Sequence, residues 1–291
     1  MENQLQSFAK ATCLIEAGRF KGTGFHFGAG WIMSVAHNFR NDDNDRVFQH
    51  SLLSETTFSF FSEGGRELKK FLAQPNRTAF IHHLRSSPGI DQRNKDIAMI
   101  KLGRQYARLG REELTGWESE EEDNLTELNL TNFASMHKRV VKQDSKVHAI
   151  HYGGENDDRK ISESTVKGVT EPNDAISYGT ITLQPVLEDG ASGCPIINES
   201  LQLVGMLFCG DDVNNPNGVD HALKWEDDIR KYTDIGVQII AHLEGYMGYK
   251  SIGTAGAAKA SMERQDLVKL AKDKTLSIYL PNGETITGKT Y

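Results

Sequence analysis

Three short segments of the chain carry a histidine, a carboxylate and a serine, the side-chain types that nucleophilic acyl transfer uses. A serine hydroxyl is a weak nucleophile and needs a base to take its proton as it attacks. Histidine, whose unperturbed pKa lies near 6.5, suits that task, and a carboxylate can fix the tautomer of the imidazole. The first segment, Gly22 to Asn38, reads Gly-Thr-Gly-Phe-His-Phe-Gly-Ala-Gly-Trp-Ile-Met-Ser-Val-Ala-His-Asn, two strands joined by a Gly turn with His37 just after the second. In the second, Asn94 to Leu102, Asp96 opens an apolar strand. The third runs from Glu188 through Gly190-Ala191-Ser192-Gly193 to Ile197, followed by the apolar run Leu201 to Gly210. Each is weak alone. A histidine at a strand end is ordinarily a satisfied polar residue, as His26 illustrates. An Asp before a strand is ordinarily a turn or cap, and Gly-x-Ser-Gly occurs by chance as a flexible turn. The three in this order and these contexts are far more specific.

The elements that must position these groups read as β-structure. Apolar runs at Cys13–Ile15, Gly24–Phe27, Trp31–Val35, Thr57–Phe61, Ile97–Leu102, Val147–Ile150, Thr180–Leu183, Leu201–Phe208 and Gly236–Ile240 have strand length and are bounded by turn residues. Helical periodicity is weak before about residue 220. Many short strands imply an all-β sandwich or a pair of barrels. The run Glu118 to Asp123 (Glu-Ser-Glu-Glu-Glu-Asp) reads as a solvated connection, since like charges repel, with an acidic docking strip for basic peptides as the alternative. The Gly/Ala-rich stretch Ser251 to Ser261 precedes an expected helix, Met262 to Lys272, and a hairpin around Pro281-Asn282-Gly283, where Asn-Gly suits a tight turn.

Composition narrows the classes. The 291 residues carry 33 Lys plus Arg against 40 Asp plus Glu, a formal charge of −7, which disfavours general nucleic-acid binding. No apolar run approaches the roughly 18 residues of a membrane span. The segment Met1 to Lys10 lacks the features of a signal peptide. Three cysteines, Cys13, Cys194 and Cys209, make no disulfide framework and no zinc spacing. These features lead us to expect a cytoplasmic protein with neither metal nor cofactor. The pairs His82-His83 and His148/His151 lack a ligand constellation, and i, i+3 positions of a strand face opposite ways.

The motifs Gly-Thr-Gly-Phe before Ser-Val-Ala-His37, Asp96-Ile-Ala-Met-Ile, and Gly190-Ala-Ser192-Gly193 before a strand ending in Gly210 resemble those of trypsin-like, chymotrypsin-fold serine peptidases. The flavour is that of the non-zymogen branch with glutamyl endopeptidase-like and high-temperature-requirement-like proteases. The resemblance covers roughly residues 8 to 243. It implies two six-stranded antiparallel β-barrels with the active site between them. Residues 1–112 would form the first barrel, 113–130 the acidic connection and 131–245 the second barrel. Residues 246–291 would be a short helical and hairpin extension, open to a partner or regulatory contact. The resemblance also implies a serine endopeptidase acting on polypeptides, with Ser192 as nucleophile, His37 as general base and acid, and Asp96 orienting His37. The backbone N–H groups of Gly190 and Ser192 would form the oxyanion hole. The alternatives are a pseudoprotease serving as a peptide-binding or scaffold module, and a self-processing protease.

Departures from the family pattern sharpen the expectation. Secreted digestive relatives have Asp before the catalytic serine to pair with a cleaved N-terminus. This chain has Ala191, so activity should need no N-terminal clip. Asn38 stands where those enzymes carry a disulfide cysteine. Cys194 and Cys209 are expected to pack as small hydrophobes, with a redox switch between them as the alternative. By resemblance the pocket for the residue before the scissile bond is walled by Val186–Asp189, Leu207–Gly210 and Asn217–Leu223. Its candidate contacts are Glu188, Asp189, Leu207, Phe208, Cys209, Gly210, Asp220 and His221. No histidine stands where glutamate-specific relatives place one in the Met206–Gly210 strand, which disfavours acidic substrates. Glu188, Asp189 and Asp220 together would favour a basic residue.

Overall fold

The computed structural model describes residues 2–28, 31–39, 55–61, 65, 67–83, 97–107, 113–114, 141–153, 158–170, 179–224, 276–279 and 285–287. Six antiparallel strands make the first barrel: β1 (Thr12–Ala17), β2 (Phe20–Gly28), β3 (Trp31–Ser34), β4 (Thr57–Phe61), β5 (Glu67–His83) and β6 (Ile97–Ala107). They hydrogen-bond in the order β5-β4-β1-β2-β3-β6, and a β5–β6 pairing closes the ring. Alternation fills it: Cys13, Ile15 and Ala17 of β1 point inward with Phe58 and Phe60 of β4, meeting Phe71 and Ile100 in one buried cluster. A two-residue strand, β7 (Glu113–Leu114), pairs with the end of β6.

The second barrel closes through β8 (Lys146–Tyr152), β9 (Arg159–Thr170), β10 (Thr180–Gln184), β11 (Pro195–Asn198), β12 (Leu203–Gly210) and β13 (Asp220–Lys224), in the order β10-β13-β12-β11-β8-β9. Val147, Ile181, Leu183, Ile196 and Val204 are among its buried core. The architecture is thus the pair of six-stranded antiparallel barrels that the motifs implied.

Of the four barrel strands absent from the apolar runs, β5, β9, β11 and β13, the two longest escape for a physical reason. β9 and β5 are rich in charged and hydroxyl side chains. They are held as strands by pairing on both edges, and β9 buries only Ser164 and Val166 fully. The hairpin expected near Asn282-Gly283 forms: β14 (Leu276–Tyr279) pairs with β15 (Thr285–Thr287), Tyr279 opposite Thr285. β14 also pairs with the second half of β5, so the C-terminal hairpin returns to the first barrel. The expected strand Gly236–Ile240, the helix Met262–Lys272 and the acidic run 118–123 lie outside the described residues.

Ahead of β1 stands one helix, α1 (Glu2–Ala9), whose Leu5, Phe8 and Ala9 are buried at helical spacing. The barrels are joined by Arg159, whose Nη1 donates to the carbonyls of Ala9 (3.1 Å) and Phe61 (2.8 Å). Beside it the Tyr152 hydroxyl donates to Thr12 O at 3.3 Å, and its ring lies 5.5 Å from that of Phe61.

Candidate active site

His37 sits in a single 3₁₀ turn, Ala36–Phe39, that follows β3. Ala36, Asn38 and Phe39 of that turn are buried, whereas His37 is partly exposed. Burial of its neighbours therefore anchors the turn and leaves His37 partly exposed. Asp96 lies outside the described residues. Ser34 pairs with Ala98, so the entry to β6 lies beside the exit of β3 that leads to His37.

Ser192 belongs to a turn of the second barrel that presses on β2 and β3 of the first. Thr23 N–H and Asn38 Nδ2 both donate to its carbonyl, at 3.0 and 3.2 Å. Asn38 is the residue after His37, so one side chain ties the histidine turn to the serine turn. Asn38 also reaches Ser34 Oγ at 3.2 Å, and Ser34 Oγ donates to Thr23 O at 2.8 Å. Gly22 and Gly193 are required here. A Cβ on Gly22 would run into the Asn38 amide, and one on Gly193, whose φ is +90°, into Thr23 O and Ser34 Oγ.

Three N–H groups of the turn from Glu188 to Cys194 are spent. Ala191 N–H donates to Glu188 O (3.1 Å), Gly193 N–H to Leu207 O (2.8 Å) and Cys194 N–H to Ala191 O (2.9 Å). Among the described residues, the N–H groups of Gly190 and Ser192 donate to no protein acceptor. Gly190 has φ +94°, and a Cβ there would stand 2.9 Å from Tyr152 O. The Asp189 carbonyl lies against Gly153, 2.6 Å from where a Cβ would be. In a trans peptide the N–H points opposite the C=O, so Gly190 N–H faces away from Gly153.

The expected pocket walls come together. Gly210 of β12 pairs with Asp220 of β13, and Leu187 N–H donates to Asp220 Oδ2 at 2.7 Å. Asp220 is 2% exposed, and its Oδ1 occupies the space that a Cβ on Gly210 would need. Burial pushes this carboxyl up to about 6, opposed by the Leu187 N–H and reinforced by nearby Asp211. The other two carboxylates are placed differently. Glu188 is ion-paired with Lys160, and the Asp189 side chain is exposed.

Leu207 is part of the second-barrel core, and Phe208 is also buried. Cys209 is partly exposed on the same strand, opposite His221. His221 is half-buried, with Nδ1 3.5 Å from Thr182 Oγ1 and its ring 6.5 Å from that of Phe208. All three cysteines are free thiols. Cys13 and Cys194 are buried, and burial raises both well above the ordinary thiol range. Among the described residues no group of three or more His, Cys, Asp or Glu is arranged to hold a metal ion.

Sequence reading missed the part played by Thr23, fully buried at the junction of the barrels. Its only sequence signal is its place between two glycines in Gly22-Thr-Gly24. It weighed His151 only as a metal ligand and not as a buried group, whose Nε2 meets Ser162 Oγ at 2.9 Å while, among the described residues, Nδ1 has no hydrogen-bond partner.

Two closed antiparallel barrels, with a serine turn of one bonded to the histidine turn of the other, define the chymotrypsin type of hydrolase. The family model of the trypsin-like peptidase domain matches residues 22–206, more than half of the chain, and the chain belongs to that family. It is a trypsin-like serine peptidase, a hydrolase whose substrates are polypeptides. No curated protein sequence matches it. Among solved structures it is similar to the Rv3671c protease from M. tuberculosis in its active form, with 15% identity, 88% of this chain and 89% of that chain covered, and a TM-score of 0.45. It is also similar to Deg5 (14% identity, 79% and 90% covered, TM-score 0.48). A third similar structure is the MamO protease domain from Magnetospirillum magneticum (12% identity, 77% and 97% covered, TM-score 0.43).

Proposed function

We propose that the protein is an endopeptidase that cleaves through an acyl-enzyme, with Ser192 as nucleophile, His37 as general base and acid, and Asp96 orienting His37. Ser192 Oγ attacks the scissile carbonyl as His37 takes its proton. The C–N bond then breaks as His37 returns that proton to the leaving amine. Water, deprotonated by His37, releases the acid product. The oxygen that turns negative in each tetrahedral intermediate accepts hydrogen bonds from Gly190 and Ser192 N–H.

One observation carries this reading: the Gly190 and Ser192 N–H groups are unspent donors on either side of Ala191, whose own N–H, like those of Gly193 and Cys194, is committed. Preorganised donors stabilise developing charge without reorganising during the reaction, and losing one typically costs about 2.7–4 kcal/mol of barrier. The buried Asp220 carboxylate beside Gly210 supports a preference for Lys or Arg before the scissile bond. Glu188 is left out of that preference because Lys160 already neutralises it. Hydrolysis of a fluorogenic peptide library by the wild type beside Ser192→Ala tests the reading. Activity confined to the wild type supports it, and equal activity refutes it.

A further inference from the structure

The two proposed oxyanion donors share one partner in the first barrel. Thr23, with no exposed surface, meets the serine turn at two points. Its N–H donates to Ser192 O at 3.0 Å, and its Oγ1 donates to Gly190 O at 2.8 Å. The direction of the second bond is fixed by a third. Tyr152 N–H donates to Thr23 Oγ1 at 2.9 Å and occupies one lone pair of the hydroxyl. A hydroxyl has a single proton, and the carbonyls within reach are Gly190 O at 2.8 Å and Tyr152 O at 3.4 Å. The proton therefore goes to Gly190 O. The chain Tyr152 N–H to Thr23 O–H to Gly190 C=O is polarised in one direction, which strengthens each bond.

We propose that Thr23 is a positioning residue for the oxyanion hole, holding Gly190 and Ser192 by their carbonyls so that their N–H groups stay aimed at substrate. This rests on the reading of Gly190 and Ser192 as donors given above. Gly190 lies between two peptide planes and has a positive φ that glycine adopts without strain. One plane is seated on Gly153 through Asp189 O, and the other is held by Thr23 Oγ1. Without the hydroxyl the second plane keeps only the bond from Ala191 N–H to Glu188 O, and nothing else in the first barrel bonds to Gly190 O among the described residues. Ala191 offers no carboxylate that a new N-terminus could grip, so this internal bond supplies the order that secreted relatives gain on activation.

The test compares the wild type with Thr23→Val, Thr23→Ala and Thr23→Ser, each normalised by fluorophosphonate titration of reactive serine and assayed below its melting temperature, with Ser192→Ala at equal protein concentration as the blank. Thr23→Val keeps the shape and loses the hydroxyl, and Thr23→Ala serves if valine fails to fold. We expect kcat to fall roughly 10- to 100-fold with KM within about twofold, less than the 10²–10³-fold typical of deleting a donor outright. The inhibition constant of a peptidyl aldehyde, whose hemiacetal oxygen enters the hole, should rise in parallel. Thr23→Ser should restore kcat to within about threefold. A merely structural threonine would lower the melting temperature and leave kcat per reactive serine unchanged. That result, or a serine variant as slow as valine, overturns the proposal for Thr23 while the peptidase reading stands. A wild type no more active than Ser192→Ala removes both.

Discussion

Asn38 Nδ2 donates to the carbonyl of Ser192 at 3.2 Å, across the junction of the barrels and 154 positions along the chain. The residue that follows the candidate base is thereby bonded to the candidate nucleophile's own backbone. The two turns are held in register by the protein alone, with no disulfide among the three cysteines.

Replacing Asn38 by Ala should therefore loosen the junction. It deletes the bonds to Ser192 O and Ser34 Oγ, each of which keeps a bond to Thr23, so the cost is that of two net hydrogen bonds, about 0.5–1.5 kcal/mol each. Gly22→Ala should act through the same contact, since its Cβ displaces the Asn38 amide. Urea denaturation followed by fluorescence should show both losses, and a stability unchanged in either variant would contradict the part given to Asn38.

Ala191 is 1% exposed and packs in the second-barrel core. Ala191→Asp buries a carboxylate in that apolar core, and we expect a loss of at least about 3 kcal/mol, read as a lowered urea midpoint. The unsubstituted protein with Met1 in place should label at Ser192 with a fluorophosphonate. Labelling that begins only after N-terminal trimming would contradict the self-sufficient serine turn.

On the proposed reading of the pocket, Asp220 should set the pH dependence of substrate choice. Its carboxyl is pushed up to about 6, so it is mostly charged at pH 7.5 and mostly neutral at pH 5. The ratio of kcat/KM for an Arg substrate to that for its Leu counterpart should fall as pH drops through 6, and a ratio cancels the titration of the shared base. Asp220→Asn should flatten that ratio at its low-pH value. Gly210→Ala should depress it at every pH by displacing the carboxylate. A ratio independent of pH, with no preference for Arg, would remove Asp220 from specificity.

Much of this was legible in the sequence. His37, Gly190, Ser192 and the glycines around them stand in short local motifs, and apolar alternation marks strands such as β1 and β4. The rest depends on contacts between distant segments. The bonds of Thr23 to Gly190 and of Asn38 to Ser192 exist only once both barrels close. β5 and β9 are polar strands stabilised by pairing on both edges, so no apolar run announces them. Glu188 looks like a pocket charge until Lys160, 28 residues earlier in the chain, is found paired with it.

His151 should make the fold acid-sensitive. Burial lowers it to about 4, partly opposed by Glu188 and reinforced by Lys160. The unfolded chain takes up a proton near 6.5 that the folded chain refuses until about 4. Its contribution is thus complete above 6.5 and is lost as pH falls towards 4. Asp220 acts in the opposite sense, since its raised carboxyl gains stability on protonation as pH falls through about 6. His151→Gln isolates the histidine. Its urea midpoint should decline less than that of the wild type between pH 7 and pH 4.5, and parallel declines would show that His151 is not responsible.

The most direct measurement is peptide hydrolysis by the wild type, Ser192→Ala and His37→Ala, with covalent fluorophosphonate labelling mapped by mass spectrometry. The expected result is turnover by the wild type alone and a single adduct on Ser192. Equal turnover by Ser192→Ala, or an adduct on another residue, would contradict the assignment of Ser192 as the nucleophile.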